Sequence, residues 1–442
     1  MNLATRLRSH SALWASPLAL GLVLYYFFRF FQDDYEVIKG EITYAPEIVS
    51  LALDPTYALA YAAASCLAAW ESGRLKRDGV WAGAPARSRY RIAAHALFPV
   101  LVLAWAMLVL PVLLALAREG VAPTWACVPL PAMTLLVATA HCAIGFGVGA
   151  VVPRLLAAPL LAAGVFYGVA SSASSGERLW PRHVLGQYSR VLTFGEHTTW
   201  TSLAPHVLFA GGLAAGVALL WVPARNRHLR SAVPALACAV ALAGTLTAYS
   251  IAKDWGASAP VSVGHADLDC SGSTPRVCVP AAGHADPSEA RTDAEAVLSE
   301  LAAAGVRVKP PRTVSDNIVN GVHPRSSTKG TWWLPVTSSQ RKGTTRYEVV
   351  KQAVHFPCKR TTDIVASRSA MLWASGTVGE GKRYLKWQRG EMLQFANGDK
   401  VLGLVEKRVA EVRRTSRAAQ ASWFRGELRR ACGDGARPAG DS

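Results

Sequence analysis

The sequence predicts a mainly α protein: a polytopic bundle of six to seven transmembrane helices followed by a smaller C-terminal α+β extracytoplasmic domain. Three observations lead there. Long apolar stretches fill the chain up to Ala252. From Lys253 onward the composition turns to that of ordinary globular protein. The cysteines outside the apolar stretches are even in number, as a disulfide framework requires. The expected division is a membrane part over 1–252, a folded part over 253–433 and a disordered tail over 434–442.

A helix needs about 20 apolar residues to cross roughly 30 Å of hydrocarbon. The candidate stretches are Ala12–Phe31, Ile48–Trp70, Ile92–Leu116, Ala122–Val152, Leu155–Val169, His206–Val222 and Ala232–Ile251. The fifth is short and leaves the fourth through Pro153-Arg154, which suggests a tight hairpin. The count falls to six if that pair is partly re-entrant. The first stretch lacks a small-residue cleavage site and continues into Tyr25, Tyr26, Phe27 and Phe28, so it reads as a span and not as a signal peptide. Trp14, Trp70, Trp81, Tyr90, Trp125 and Trp221 stand where interfacial anchors are expected, although interior packing explains several equally well.

Cations set the expected orientation. One set of loops carries Arg6, Arg8, Arg74, Lys76, Arg77, Arg87, Arg89, Arg91, Arg154, Arg225, Arg227 and Arg230. The opposite set has fewer: Arg29, Lys39, Arg118, Arg178, Arg182 and Arg190. The positive-inside rule then puts the N-terminus in the cytoplasm, and seven spans leave the C-terminal part outside. The formal net charge is +17, spread over both halves. Basic residues at bilayer edges meet anionic headgroups. With no zinc-finger spacing and no RNA-binding signature, the chain is not expected to bind nucleic acid.

Of eight cysteines, Cys66, Cys127, Cys142 and Cys238 fall in apolar spans. Cys270, Cys278, Cys358 and Cys432 fall in the C-terminal part, where two disulfides fit an oxidising compartment. Four cysteines allow three pairings. The favoured one joins Cys270 to Cys278 around Gly272 and Pro275, and Cys358 to Cys432, which would tie a strand to the end of the last helix.

In the same region Asp286, Pro287 and Glu289 form a capping-box pattern. The helix it starts should run to about Ala304 and stop at Gly305. Val306–Val308 and Tyr347–Phe356 read as strands, and Pro310–Gly343 as loop with short strands. Asp363–Ala374 and Tyr384–Ala396 read as helices. Lys400–Ala431 places Val401, Leu404, Val405, Val409 and Val412 at helical spacing opposite a basic face.

Chemistry is sparse. Gly376–Lys382 has the GxxxxGK spacing of a phosphate-binding loop, but Arg383 replaces the Ser or Thr that holds magnesium, and no apolar strand precedes it. Ser339–Lys342 has SxxK spacing without the SDN and KTG partners. His265, Asp267, Asp269, His284 and Asp286 do not make a converging metal set, and Asp286 is accounted for as a helix cap. No enzyme, no metal and no cofactor is expected. Polar groups inside the membrane are costly and therefore informative. Asp54 opens the second stretch, His141 lies mid-span in the fourth, and His95 and His206 stand near span ends, as interfacial residues do. His141 either lines a pathway or bonds a neighbouring helix. Gly145, Gly147 and Gly149 permit close helix approach.

Ala68–Gly79 followed by Pro85–Arg89 resembles the first cytoplasmic loop of permease subunits of type-2 ABC exporters, in an actinobacterial variant with an appended extracytoplasmic domain. His141–Gly149 and Pro153 resemble that group's fourth span and its exit. Cys270 with Val277-Cys278-Val279, and Trp423 with Cys432, resemble the opening and close of the appended domain. The resemblance implies that Glu71, Arg74, Arg77, Asp78, Arg87 and Arg89 meet a separate cytoplasmic ATPase subunit. It implies a homo- or hetero-dimer of permease chains in the lipid bilayer. It also implies that the segment after the fifth span folds back toward the membrane, here Ser171–Ala204 with Trp180, Tyr188, Phe194 and Trp200. The family core has six spans, so a seventh raises the alternative of a membrane anchor whose outer domain binds a peptide, an envelope component or a partner protein.

Overall fold

A computed structural model describes residues 10–31, 42–83, 88–174, 179–222, 227–322, 325–358, 360–392 and 397–433. Contacts divide the chain into two compact units, Met1–His265 and Ala266–Ser442. Residues 253–265, assigned to the C-terminal part by composition, make their contacts within the first unit. The tail expected over 434–442 lies outside the described residues.

The first unit is helical. In chain order its helices are α1 (Ser11–Tyr26), α2 (Ala45–Leu53), α3 (Tyr57–Arg77), α4 (Val80–Gly83), α5 (Arg89–Glu119), α6 (Pro129–Val151), α7 (Arg154–Ser172), α8 (Trp200–Leu219) and α9 (Arg227–Ala252). Among the described residues six stretches are long and apolar enough to cross a membrane: Ser11–Arg29, Arg89–Glu119, Trp125–Val151, Arg154–Ser172, Trp200–Leu219 and Ser231–Ala252. They make the chain compatible with a multi-pass membrane protein. The expected fourth and fifth stretches both qualify and are joined by the short link before Arg154. The second does not qualify. Asp54-Pro55-Thr56 form a 3-10 turn that separates α2 from α3, and α3 is rich in Ala with Ser65, Ser72 and Glu71 among its buried residues.

The reason is packing. α3 lies against α5, α6 and α7, so most of its surface meets protein and hydrophobicity is not demanded of it. Two rows of residues spaced by four face each other across α3 and α6. A Cβ on Gly145 would lie 2.2 Å from the Ser65 carbonyl oxygen, and one on Gly149 would lie 2.3 Å from that of Ala69. The two backbones therefore touch, as small residues allow. The helices α8 and α9 approach in the same way through Gly212, Gly216 and Gly244.

Contacts at the two ends of this unit show how far the α2–α3 run reaches. At one end, Ser11 meets Glu71, Arg154 stacks over Trp70 and Lys76 approaches Val151. At the other, Ser50 of α2 meets Leu192 and Tyr44 meets Glu196. The run thus passes from one end of the helical unit to the other. At the second end, β1 (Glu196–Thr198) pairs antiparallel with β2 (Val261–Val263).

The second unit holds a four-stranded sheet of β3 (Leu268–Ser271), β4 (Arg276–Pro280), β5 (Thr313–Asp316) and β6 (Thr331–Leu334) in that spatial order. The first pair is antiparallel and the next two are parallel. Its helices are α10 (Pro287–Ala303), α11 (Val336–Arg341), α12 (Thr345–Ala353), α13 (Ile364–Thr377), α14 (Gly381–Met392), α15 (Gly398–Val412) and α16 (Arg417–Arg430). Asp286 caps α10 by accepting from the Ser288 N–H, and Gly305 ends it at φ +84°. Asp363 caps α13 in the same way through Ala366. Val277, Val279, Val297, Leu301, Val314, Trp332, Trp373 and Phe424 form the core.

Three sequence expectations fail here. Val306–Val308 is not a strand; it packs on the core without a sheet partner. Tyr347–Phe356 is mostly the helix α12, because Tyr347, Val350 and Ala353 meet the core at helical spacing and this overrides the strand preference of the two valines. The single helix expected over Lys400–Ala431 breaks at 413–416, where Ser416 caps a new one. Cys270 and Cys278 are bonded, as are Cys358 and Cys432. The first two are register partners on β3 and β4. Cys358 leaves a bend and not a strand.

The α3–α6 contact generates a paired prediction. Gly149→Leu should lower stability by ~1–3 kcal/mol, the usual cost of overpacking. Gly164→Leu, where nothing lies within 4 Å, should leave it unchanged. Thermal unfolding of the two variants in detergent distinguishes them, and equal midpoints would dismiss the contact.

Candidate functional site

The loop residues expected to meet a partner separate into three groups. Glu71 is wholly buried, and its carboxylate accepts from the Ser11 N–H at 2.9 Å. It pairs with Arg74 at 2.8 Å, which is itself 24% exposed. His10 stands 3.8 Å from the same carboxylate and holds the Ala96 carbonyl through its other nitrogen. Glu71 and Arg74 therefore fasten the start of α1 to the end of α3. A carboxylate at the first turn of α1 also suits the positive end of the helix dipole.

Arg77 and Asp78 form the second group. They pair at 3.4 Å and both are largely exposed, on the last turn of α3. Arg89 opens α5 and faces a cleft lined by Trp81, Phe146 and Trp221. Arg87 lies outside the described residues. The loop thus presents Arg77 and Asp78 outward and uses Glu71 and Arg74 inward.

At the opposite end, residues 179–199 fold back among the helices. Tyr188 and Leu192 are buried in the same core as α3. Gly186 is the centre of this segment. Its φ of +93° favours glycine, and a Cβ there would meet the Tyr61 ring and Val137 at 2.9 Å. Tyr61 donates its hydroxyl to the Gly186 carbonyl at 3.1 Å. The Gly186 N–H donates to His206 Nδ1 at 3.1 Å. Gln187 donates to Asp54 at 3.2 Å, and Arg190 pairs with the buried Glu196 at 2.5 Å. Burial raises the Tyr188 phenol to about 12, so it stays protonated.

The two intramembrane polar candidates fall on this same network. Asp54 sits at the break between α2 and α3 and receives Gln187. His141 stacks on the Tyr61 ring at 5.1 Å, and its Nδ1 lies 3.1 Å from the Ser65 hydroxyl. It thus bonds the neighbouring helix α3. His206 is buried. Gly186, Gln187, Tyr61 and Ser65 escape a reading by charge, because none is ionised. Their signal is a glycine inside an aromatic, polar segment between two apolar stretches.

In the second unit the motif look-alikes dissolve. Gly376–Lys382 joins the end of α13 to the start of α14, with no strand before it, and a Cβ at Gly376 would strike the Arg413 guanidinium. Ser339 is buried in α11 and donates to the Val336 carbonyl. Among the described residues no three His, Cys, Asp or Glu side chains converge. A cleft of about 550 Å³ does stand out, with Tyr347, Phe356 and Trp387 beside Arg360, Arg368 and Gln388. Gln388 is 2% exposed and its carbonyl oxygen has no partner.

Compared with known proteins, the chain matches no family model, no curated sequence and no solved structure.

The Glu71–Arg74 pair predicts an asymmetry. Arg74→Leu leaves a buried carboxylate without its cation and should cost about 3–5 kcal/mol. The double variant Glu71→Gln/Arg74→Leu keeps the acceptor for Ser11 and should recover most of that loss. A double-mutant cycle on thermal stability measures the coupling; additive losses would mean that the two residues act independently.

Proposed function

We propose that the chain is a membrane-spanning permease-like subunit of an ABC-type exporter, which moves substrate when coupled to a separate cytoplasmic ATPase. The observation that carries this reading is the placement of α3. One end bears the exposed Arg77–Asp78 pair, and the other region of the same helix holds the fold-back segment through Tyr61 and Gly186. A force applied to the loop would travel along 21 residues of helix, about 31 Å at 1.5 Å per residue, to a segment seated among the spans. The resemblance of Ala68–Gly79 and Pro85–Arg89 to the family's coupling loop adds to it.

On this reading α2 and α3 together make the seventh crossing, shielded from lipid by α5, α6 and α7. The cation-rich end is cytoplasmic by the positive-inside rule, and an odd number of crossings puts the second unit in the extracytoplasmic space. The disulfides favour the same side, where the unit would serve as the appended α+β domain. A homo- or hetero-dimer of permease chains would complete the path.

A second reading, a non-transporting anchor whose outer domain binds a ligand, draws on the cleft around Trp387 and Gln388. A buried amide oxygen without a partner in a cleft that also holds the exposed Trp387 and Arg360 is the kind of place a ligand satisfies.

Two experiments test the first reading. Tagged full-length protein purified from its native membranes should bring an ATPase subunit with it. Arg77→Glu should abolish that co-purification and leave membrane insertion intact, because neither Arg77 nor Asp78 is buried. Unchanged co-purification rejects the coupling role and favours the anchor. For topology, Arg414→Cys should react with an impermeant maleimide on intact cells, and Arg77→Cys only after permeabilisation, with the four free cysteines replaced by alanine. The reverse pattern overturns the orientation.

A further inference from the structure

At the end of the helical unit that carries the loop, three aromatic rings form one wall. Phe146 of α6 stands edge-on to Trp221 at 5.0 Å and to Trp81 of α4 at 6.3 Å. With Ala150 they line a cleft of about 290 Å³, and Lys76 and Arg89 stand on its rim. Tyr90 braces the far side, donating its hydroxyl to the Ala218 carbonyl at 2.7 Å and leaning on Trp221.

The rim is electrically unbalanced. Glu71 is taken by Arg74, and Asp78 by Arg77. Among the described residues neither Lys76 nor Arg89 forms an ion pair, and the polar contact of Lys76 is a 3.5 Å approach to the Val151 carbonyl. Arg89 is also the first residue of α5, a helix of 31 residues. The positive end of that helix dipole therefore adds to the two side-chain charges. The surroundings of the cleft are apolar and exposed: Val151 follows Ala150 and is 77% exposed, and Leu220 and Val222 flank Trp221 at 52% and 40%.

We infer that this cleft binds the headgroup of an anionic phospholipid. Lys76 and Arg89 receive the phosphate. The glycerol and the first methylenes rest on Trp81, Phe146 and Trp221, as amphipathic rings at a headgroup level do. The tails leave over Val151, Leu220 and Val222, side chains that meet lipid once the helices are in a membrane. A free phosphate would have no use for an aromatic wall. The lipid is held between the loop helix α4 and the helices α5, α6 and α8, so it also fixes how the loop sits. The inference rests on membrane placement of the helices and not on coupling to an ATPase.

The test is lipid retention by the purified full-length protein, read by native mass spectrometry with dioleoylphosphatidylglycerol and dioleoylphosphatidylcholine supplied at equal concentration. The wild type should retain the anionic lipid about thirtyfold over the zwitterionic one, the scale set by two cations beside a headgroup. Lys76→Gln/Arg89→Gln should bring the ratio to parity, and Arg77→Gln should leave it as in the wild type. Ala150→Trp fills the cleft without changing charge and should lose the retained lipid, which keeps the test decisive if the double variant does not fold. Glycerol 3-phosphate should fail to displace the lipid. No preference in the wild type, a preference that survives either the double variant or Ala150→Trp, or displacement by glycerol 3-phosphate would each overturn the site. ATPase co-purification is read separately, so either conclusion can fail alone.

Discussion

The first unit depends on direct backbone contact between α3 and α6. Tyr61, Ser65 and Ala69 form one row spaced by four, and His141, Gly145 and Gly149 form the other. The glycines bring Ser65 and Ala69 so close that no Cβ fits. At that separation the histidine is placed by the row itself: one turn from Gly145 it stacks on Tyr61 and reaches Ser65. Beyond the row, a Cβ at Gly73 would lie 2.5 Å from the Arg154 side chain, so α7 closes on α3 by the same means. Helices in lipid gain little from hydrophobicity between them, and close packing of small residues supplies the attraction instead.

This contact also explains which helices hydropathy finds. A scan for apolar windows detects surface that faces lipid. Among the described residues six helices carry an apolar face of the kind lipid would cover, with side chains such as Leu18, Leu113, Leu155 and Leu246 left exposed by the protein. The helix α3 faces protein on most sides, so alanine, serine and tyrosine serve it well, and its composition resembles a soluble core. Apolar length located it as a stretch but did not reveal the break at Asp54-Pro55-Thr56. In the second unit, capping chemistry was legible at Asp286, where a local side chain satisfies a local N–H. The strand preference of Val349-Val350 misled, because their environment is set by distant residues in the core.

Site residues follow the same division. Charge marks where the loop is, but charge alone does not separate Glu71 and Arg74, which hold α1 to α3, from Arg77 and Asp78, which face outward. Spacing cannot reveal it either, since three of them lie on the last turns of α3 and Asp78 is its C-cap. The difference arises from Ser11, sixty residues away in the chain. The fold-back segment was legible as aromatic and neither fully aqueous nor spanning. Its attachment through Gly186 was not, because a glycine carries no sign of which ring will cover it.

The proposed coupling role needs a stiff element with distinct attachments at each end and a place where bending is permitted. The helix α3 meets the first condition: it is continuous from Tyr57 to Arg77, with the ion pair to α1 near one end and the Tyr61–Gly186 bond in its other half. The break at Asp54-Pro55-Thr56 meets the second. Pro55 cannot donate to the preceding turn, and Asp54 at that point is held by Gln187 of the fold-back segment. If the loop is displaced, α3 moves as a body, because its glycine contacts with α6 leave no room for it to bend independently. The strain must then appear where the helix is already interrupted, beside the residues that seat the fold-back segment. A polar bond between Asp54 and Gln187 is cheaper to exchange for water than a packed apolar contact of the same size, so this is the point at which a buried segment is most easily released.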